Sequence, residues 1–308
     1  YSEVFIHSAQ EQDFNRLKEI IGLLNIRYIF HNTDPKIYDN TFLGAPYSYV
    51  RKFFPENQKK YEEFIKLLVE KKVFESGPYK IYITDKATYL PHFYIPKETV
   101  LYENDPKTNM SYAAASSFIL EEKNHDSRTV FIEKVSCLNE ASLKKICKAN
   151  VFDTVPQLYF RKISPVKYFV KVTGVKDPFL LVMSDVFHRN WKVFLNVKAS
   201  RASSEVKSYF NGNITEGQHT NIFFDKNILE TLKLGSISEG QHFPVNAYAN
   251  AWYITPKDMN NKEDATFIVE MVGQRVFYTS GLISILTLTG FIIYGFFLFL
   301  RIGRSFYK

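Results

Sequence analysis

Cysteine, methionine and tryptophan are scarce in this chain, with two, four and two copies among 308 residues. Cys137 and Cys147 allow one disulfide, closing a small loop around SLKKI, or else two buried thiols. The seven histidines are scattered, and none stands beside another His, a Cys or a carboxylate at metal-ligand spacing. The sequence has no phosphate loop, dinucleotide fingerprint or nucleophile elbow. The 32 carboxylates single out no acid pair for hydrolysis. No cofactor or metal is expected in this segment, and the segment does not read as catalytic. Charge of one sign is also thin. A net charge of +7 is spread out, and Lys59-Lys60, Lys71-Lys72 and Lys144-Lys145 lie near glutamates on solvated faces, so nucleic acid is not an expected partner.

What the chain has in quantity is aromatic residues. Twenty Tyr and 28 Phe, in a chain that is 45% hydrophobic, describe a folded, β-rich protein. Its most distinctive run is GLISILTLTGFIIYGFFLFL, Gly281 to Leu300, followed at once by Arg301, Arg304 and Lys308. Twenty helical residues span about 30 Å, the thickness of a bilayer's hydrocarbon core. The basic flank predicts a cytoplasmic C-terminus, against which Arg275 counts slightly, so the bulk of the chain is expected outside the cytoplasm. Gly281, Thr287, Thr289 and Gly290 are small positions that let neighbouring membrane helices approach. The start, Tyr-Ser-Glu-Val, carries no leader, so the expectation is the C-terminal piece of a longer membrane protein or a mature chain after cleavage.

The fold class read from the pattern is α+β. Residues 1–155 read as a small extracytoplasmic α/β domain. It opens with a Ser8–Glu11 capping box and a helix carrying Phe14, Leu17, Ile20, Ile21 and Leu24. A strand at Ile26 to Phe30 follows, then a helix bearing Tyr61, Phe64, Ile65 and Leu68. Two strands are then joined by the Ser76-Gly77-Pro78 turn. Less regular signals follow: helices at Ser111 to Lys123 and Ala141 to Lys148, and a strand at Thr129 to Val135. Residues 156–275 read as a membrane-proximal antiparallel β-sandwich, jelly-roll-like. Its strands lie at Lys167 to Val172, Phe179 to Met183, Trp191 to Val197, Ala247 to Ile254 and Ala265 to Met271. Ala199 to Gly217 reads as an exposed loop or hairpin tip. Residues 276–300 form the membrane helix and 301–308 a cytoplasmic basic tail.

One set of residues suggests a ligand. Asn246, Tyr248, Asn250 and Trp252 alternate along a predicted strand, with Trp191 nearby, and this mixture of rings and amides is what binds sugars. The favoured, plainer role puts Trp191 and Trp252 in the core, with the asparagines satisfying turn backbone. Asn109 and Asn213 head glycosylation sequons on the outside face.

Three segments together resemble a family. LNIRYIFHNTD (Leu24 to Asp34) is similar to the strand that opens the extracytoplasmic domain of YfhO-like and related multi-spanning membrane glycosyltransferases. SPVKYFVKVTGVKDPFLLVMSDVFHRNWKVFL (Ser164 to Leu195) resembles their sandwich segment. HFPVNAYANAWYI (His242 to Ile254) and QRVFYTSGLISILTL (Gln274 to Leu288) resemble their closing strands and last membrane helix. The resemblance implies a GT-C-type enzyme using a polyprenyl-phosphate-linked sugar, with its catalytic acid between N-terminal membrane helices outside this segment. The partners it implies are the bilayer, the upstream transmembrane bundle of the same protein, and a glycan or lipid-linked sugar. The alternative is a non-enzymatic, single-pass surface protein whose sandwich binds carbohydrate or builds the envelope.

Overall fold

The computed structural model describes residues 13–33, 65–84, 90–102, 119, 129–134, 144, 147, 154–195, 209–210 and 230–306. Among these, the protein is α+β, with mostly antiparallel sheets and one C-terminal apolar helix.

Helix α1 (Phe14–Leu23) starts at Asp13, whose carboxylate accepts from the Arg16 N–H at 3.1 Å. The Ser8–Glu11 capping box lies outside the described residues. Leu17, Ile20, Ile21 and Leu23 form the buried stripe of α1. The stripe faces a three-stranded sheet of β1 (Tyr28–Asn32), β2 (Val69–Ser76) and β3 (Tyr79–Thr84), in the order β1-β3-β2. Gly77, at φ +56°, carries the tight β2–β3 turn, where a side chain would be strained. Of the expected second helix, residues 65–68 are helical and pass straight into β2, which therefore begins earlier than Val73.

The sandwich has two sheets. The larger orders β10 (Trp191–Leu195), β14 (Ala265–Met271), β8 (Lys167–Thr173), β7 (Gln157–Ser164) and β11 (Tyr209–Phe210) side by side. The smaller orders β12 (His242–Val245), β13 (Ala249–Ile254), β9 (Phe179–Val186) and β4 (Phe93–Tyr94). Strand β11 corrects part of the expected loop at Ala199 to Gly217, because Tyr209 and Phe210 pair with Phe160 and Tyr159 at the sheet edge. Alternate residues meet between the sheets: Leu158, Phe160, Val170, Val172, Phe267 and Val269 from one, Leu181, Met183, Trp252 and Ile254 from the other.

Strand β9 is buried on both faces, from Phe179 through Ser184. Its other face, with Tyr94, Val245, Ala251 and Tyr253, packs on Val130 and Ile132 of β6 (Thr129–Glu133). Strand β6 pairs in parallel with β5 (Glu98–Tyr102). The smaller sheet is thus a middle layer, and this explains the unbroken apolar run FLLVM. Because β4 hydrogen-bonds to β9, the sandwich draws on residues from both sides of position 155.

Strand β14 ends at Met271, and after Val272 helix α2 (Gly273–Phe306) begins. Its stretch Gly273–Phe297 has a mean hydropathy of 1.9 and none of it is buried, so the helix is long and apolar enough to cross a membrane. Hydroxyls along it are satisfied internally: Ser284, Thr287 and Thr289 donate to the carbonyls of Ser280, Ile283 and Ile285 at 2.8–2.9 Å. That is what an apolar surround requires of a polar side chain.

Candidate functional site

The chemistry-bearing residues converge where the sandwich meets α2. Two loops close this end: the β7–β8 turn, and the four-residue β9–β10 connector that crosses between the sheets. Each is tied to the chain leaving β14. The Met271 N–H donates to the Val166 carbonyl and the Val272 N–H to the Asn190 carbonyl, both at 2.9 Å.

A charged clamp reinforces the junction. Glu270 lies on the outer face of the larger sheet and is 7% exposed, while Arg275 is 20% exposed. The Arg275 guanidinium grips both Glu270 oxygens, Nε to Oε1 and Nη2 to Oε2, each at 3.0 Å. Thr231 completes the triangle. Its hydroxyl donates to Glu270 Oε2 at 2.5 Å and accepts from Arg275 Nη2. The guanidinium also stands 5.3 Å from the centre of the Phe194 ring. A two-pronged, charge-assisted contact of this kind fixes direction as well as distance. It locks the first turn of α2 to the sheet. Beside it, the buried Lys167 pairs with Glu230 at 2.5 Å. Sequence reasoning weighed Arg275 only as a charge near the membrane. The available signal was Glu270, a carboxylate in an otherwise apolar strand, five residues before an arginine.

The residues of the tentative ligand face, Trp191, Asn246, Tyr248, Asn250 and Trp252, do not line an exposed surface. Trp191 (3% exposed) and Trp252 (1%) fill the core between the sheets. Alternation along one strand fails for two reasons. Asn246 and Ala247 both take positive φ, 53° and 59°, in the turn between β12 and β13, where the Tyr248 N–H donates to the Val245 carbonyl at 3.0 Å. A β-bulge then shifts the register between Ala249 and Asn250.

The amides are structural clasps. Buried Asn246 acts as a surrogate strand for β6: its Oδ1 accepts from the Phe131 N–H at 2.9 Å, and its own N–H donates to the Phe131 carbonyl at 2.8 Å. Its Nδ2 donates to the Tyr94 hydroxyl at 2.9 Å. Tyr248 donates its hydroxyl to the Leu23 carbonyl, joining the turn to the end of α1. Asn250, fully buried, holds the β9–β10 connector by donating to the carbonyls of Asp185 and Val186 at 2.9 and 3.1 Å. Its Oδ1 accepts from the His188 N–H at 3.2 Å and meets His242 Nε2 at 3.1 Å, which requires the proton on that nitrogen. The His242 ring stacks on Trp252 at 4.6 Å and 8°. Burial holds the His242 pKa down at about 4.

A second titratable group lies at the same end. The ring of His92 is buried 4.8 Å from that of Tyr168 and 5.1 Å from that of Phe93, and its Nε2 has no hydrogen-bond partner among the described residues. Burial, helped by the nearby Lys162 charge, lowers its pKa to about 3. Asp185 is pushed up by burial, with the Val186 N–H and Lys162 opposing, while Lys162 is pushed down by burial and held up by Asp185. These groups sit on three strand ends, which explains why no sequence spacing announces them.

Cys147 is disulfide-bonded; the chain's other cysteine, Cys137, lies outside the described residues, as do Asn109 and Asn213. Among the described residues, no group of three or more His, Cys, Asp or Glu could hold a metal ion. In comparisons with known proteins, no family model, no curated protein and no solved structure matches this chain.

Proposed function

We propose that this chain is the extracytoplasmic accessory region and final membrane helix of an integral-membrane glycosyltransferase. Its donor is a polyprenyl-phosphate-linked sugar, and the reacting groups lie in membrane helices outside this segment. The observation that carries the accessory role is the junction. One residue, Val272, separates β14 from an apolar helix, and the Arg275–Glu270–Thr231 clamp fastens the two together. Such a sandwich cannot swing on a tether. It holds a fixed height and angle over the bilayer, as a wall beside a membrane-embedded cleft must. The sugar-transfer part of the reading rests on the resemblance of Leu24 to Asp34, Ser164 to Leu195 and His242 to Leu288. In this reading the sandwich faces the outside, and α2 packs beside the upstream bundle. The open space around Gly281 and Gly290 suits that packing.

The test is sugar transfer by the intact protein in proteoliposomes, offered a panel of polyprenyl-phosphate hexoses and pentoses. The expected result is donor-dependent transfer that falls when Arg275→Ala loosens the junction while the sandwich stays folded. Glycan binding by the protein with no transfer from any donor would instead favour the single-pass surface protein.

A further inference from the structure

The length of α2 fixes how close the sandwich lies to the lipid. Between Arg275 and Arg301 stand twenty-five uncharged residues, Val276 to Leu300. The hydrocarbon core takes about twenty of them, leaving roughly five to share between the two sides. An upright, centred helix then puts the Arg275 backbone about 4 Å above the hydrocarbon, inside a headgroup layer about 5–7 Å deep. Tilt brings it no further out. Arg275 is clamped to Glu270 and Thr231, and the chain beside it is bonded to Val166 and Asn190, so these loops descend with it. They present exposed Pro165, His188, Arg189 and Lys233, and Leu232 at 57% exposure. Among the described residues, the acids at this end each face a cation: Glu270 has Arg275, Glu230 has Lys167, Glu239 has Lys192, and Asp185 senses Lys162. Counted together, the cations at this end exceed the acids by two, and the exposed ones are Arg189, whose charge also reaches Glu239, and Lys233.

We propose that this rim is a docking surface for the anionic phospholipid headgroups of the bilayer, with Arg189 and Lys233 on phosphates and Leu232 reaching toward the acyl boundary. The proposal rests on the reading that α2 crosses the membrane. Cations near an anionic leaflet favour it by roughly fivefold each. The surface therefore selects the lipid around the junction, and with it the local environment of any lipid-linked donor.

The test uses the full chain in nanodiscs of phosphatidylcholine with or without phosphatidylglycerol. Energy transfer from Trp191 and Trp252 to dansyl-labelled lipid reports which headgroup gathers at the rim. The expected result is a several-fold preference for dansyl-phosphatidylglycerol that salt weakens and that Arg189→Gln with Lys233→Gln removes. Nitroxides on His188→Cys and Ile285→Cys read depth. A label at 188 in the headgroup layer supports the proposal. A label at 188 in bulk water, with 285 in hydrocarbon, overturns the rim and leaves the membrane helix standing. A label at 285 in water overturns the membrane reading itself. Equal transfer to both dansyl lipids overturns the anionic preference.

Discussion

The clamp at the junction makes a quantitative prediction about stability. Removing Arg275 takes the two-pronged partner from the Glu270 carboxylate, 7% exposed, and leaves it the Thr231 hydroxyl and the cross-strand neighbours Lys167 and Lys192. Breaking a buried pair from one side costs roughly 3–5 kcal/mol, whereas a solvated surface pair is worth about 0–1 kcal/mol. Arg275 is 20% exposed, so water can partly replace it. Arg275→Ala should therefore destabilise the sandwich by about 2–4 kcal/mol. Glu270→Ala frees an arginine that can reach solvent and should cost less. A double-mutant cycle should return a coupling of about 2 kcal/mol. Arg275→Lys, which keeps the charge and loses the fork, should fall between wild type and alanine.

The protein supplies its own probe. Its two tryptophans, Trp191 and Trp252, both lie in the sandwich core, so their fluorescence during urea unfolding in nanodiscs follows the sandwich and not α2. A coupling below about 0.5 kcal/mol, the ordinary additivity error, would refute the clamp as a stabilising contact and with it the rigid junction.

Other perturbations read other parts of the account. Buried His92 and His242 have folded pKa values of about 3 and 4, both below the imidazole value of 6.5, so the unfolded chain binds more protons between those limits. Stability is fully present above pH 6.5 and falls as pH drops through 4 towards 3. His92→Phe should remove its share of this acid loss, at most about 5 kcal/mol, with chemical unfolding at pH 7 and pH 4 as the check; an unchanged acid limb would contradict the buried neutral ring. Asn246→Ala, which strands the Phe131 N–H and the Tyr94 hydroxyl, should cost about 2–4 kcal/mol in unfolding experiments. Hydrogen exchange at the Phe131 amide should rise with it, and a protected amide would contradict the clasp. Phe267→Ala, between the sheets, should cost about 3–5 kcal/mol.

Much of the sandwich was legible because its strands obey local rules. In β14, Phe267 and Val269 point inward at period two, and the Gly77 turn and the apolar run of α2 each sit where residue chemistry alone puts them. What escaped were features made by distance in sequence. Asn246 bonds Phe131 across 115 residues, so the amide that the favoured reading gave to turn backbone is also the partner of a strand that spacing cannot reveal. The assumed alternation from Asn246 to Trp252 broke on two consecutive left-handed residues, one of them an alanine that no turn rule favours. Strand β4, two residues long, carries too little pattern to be read and is placed by its partner β9. Arg275 was visible as a charge, but its role depends on the register that sets Glu270 on the outer face.

The central claim is a sandwich outside the cytoplasm, pinned to a helix that crosses the bilayer. Sided labelling of sealed, right-side-out vesicles tests it most directly, with single cysteines at the exposed Lys176, at the end of the sandwich away from α2, and at Lys308 offered a membrane-impermeant maleimide. Lys176→Cys should label from outside, and Lys308→Cys only after the membrane is opened. Labelling of Lys308→Cys in intact vesicles, or of neither site until the membrane is opened, would contradict the account.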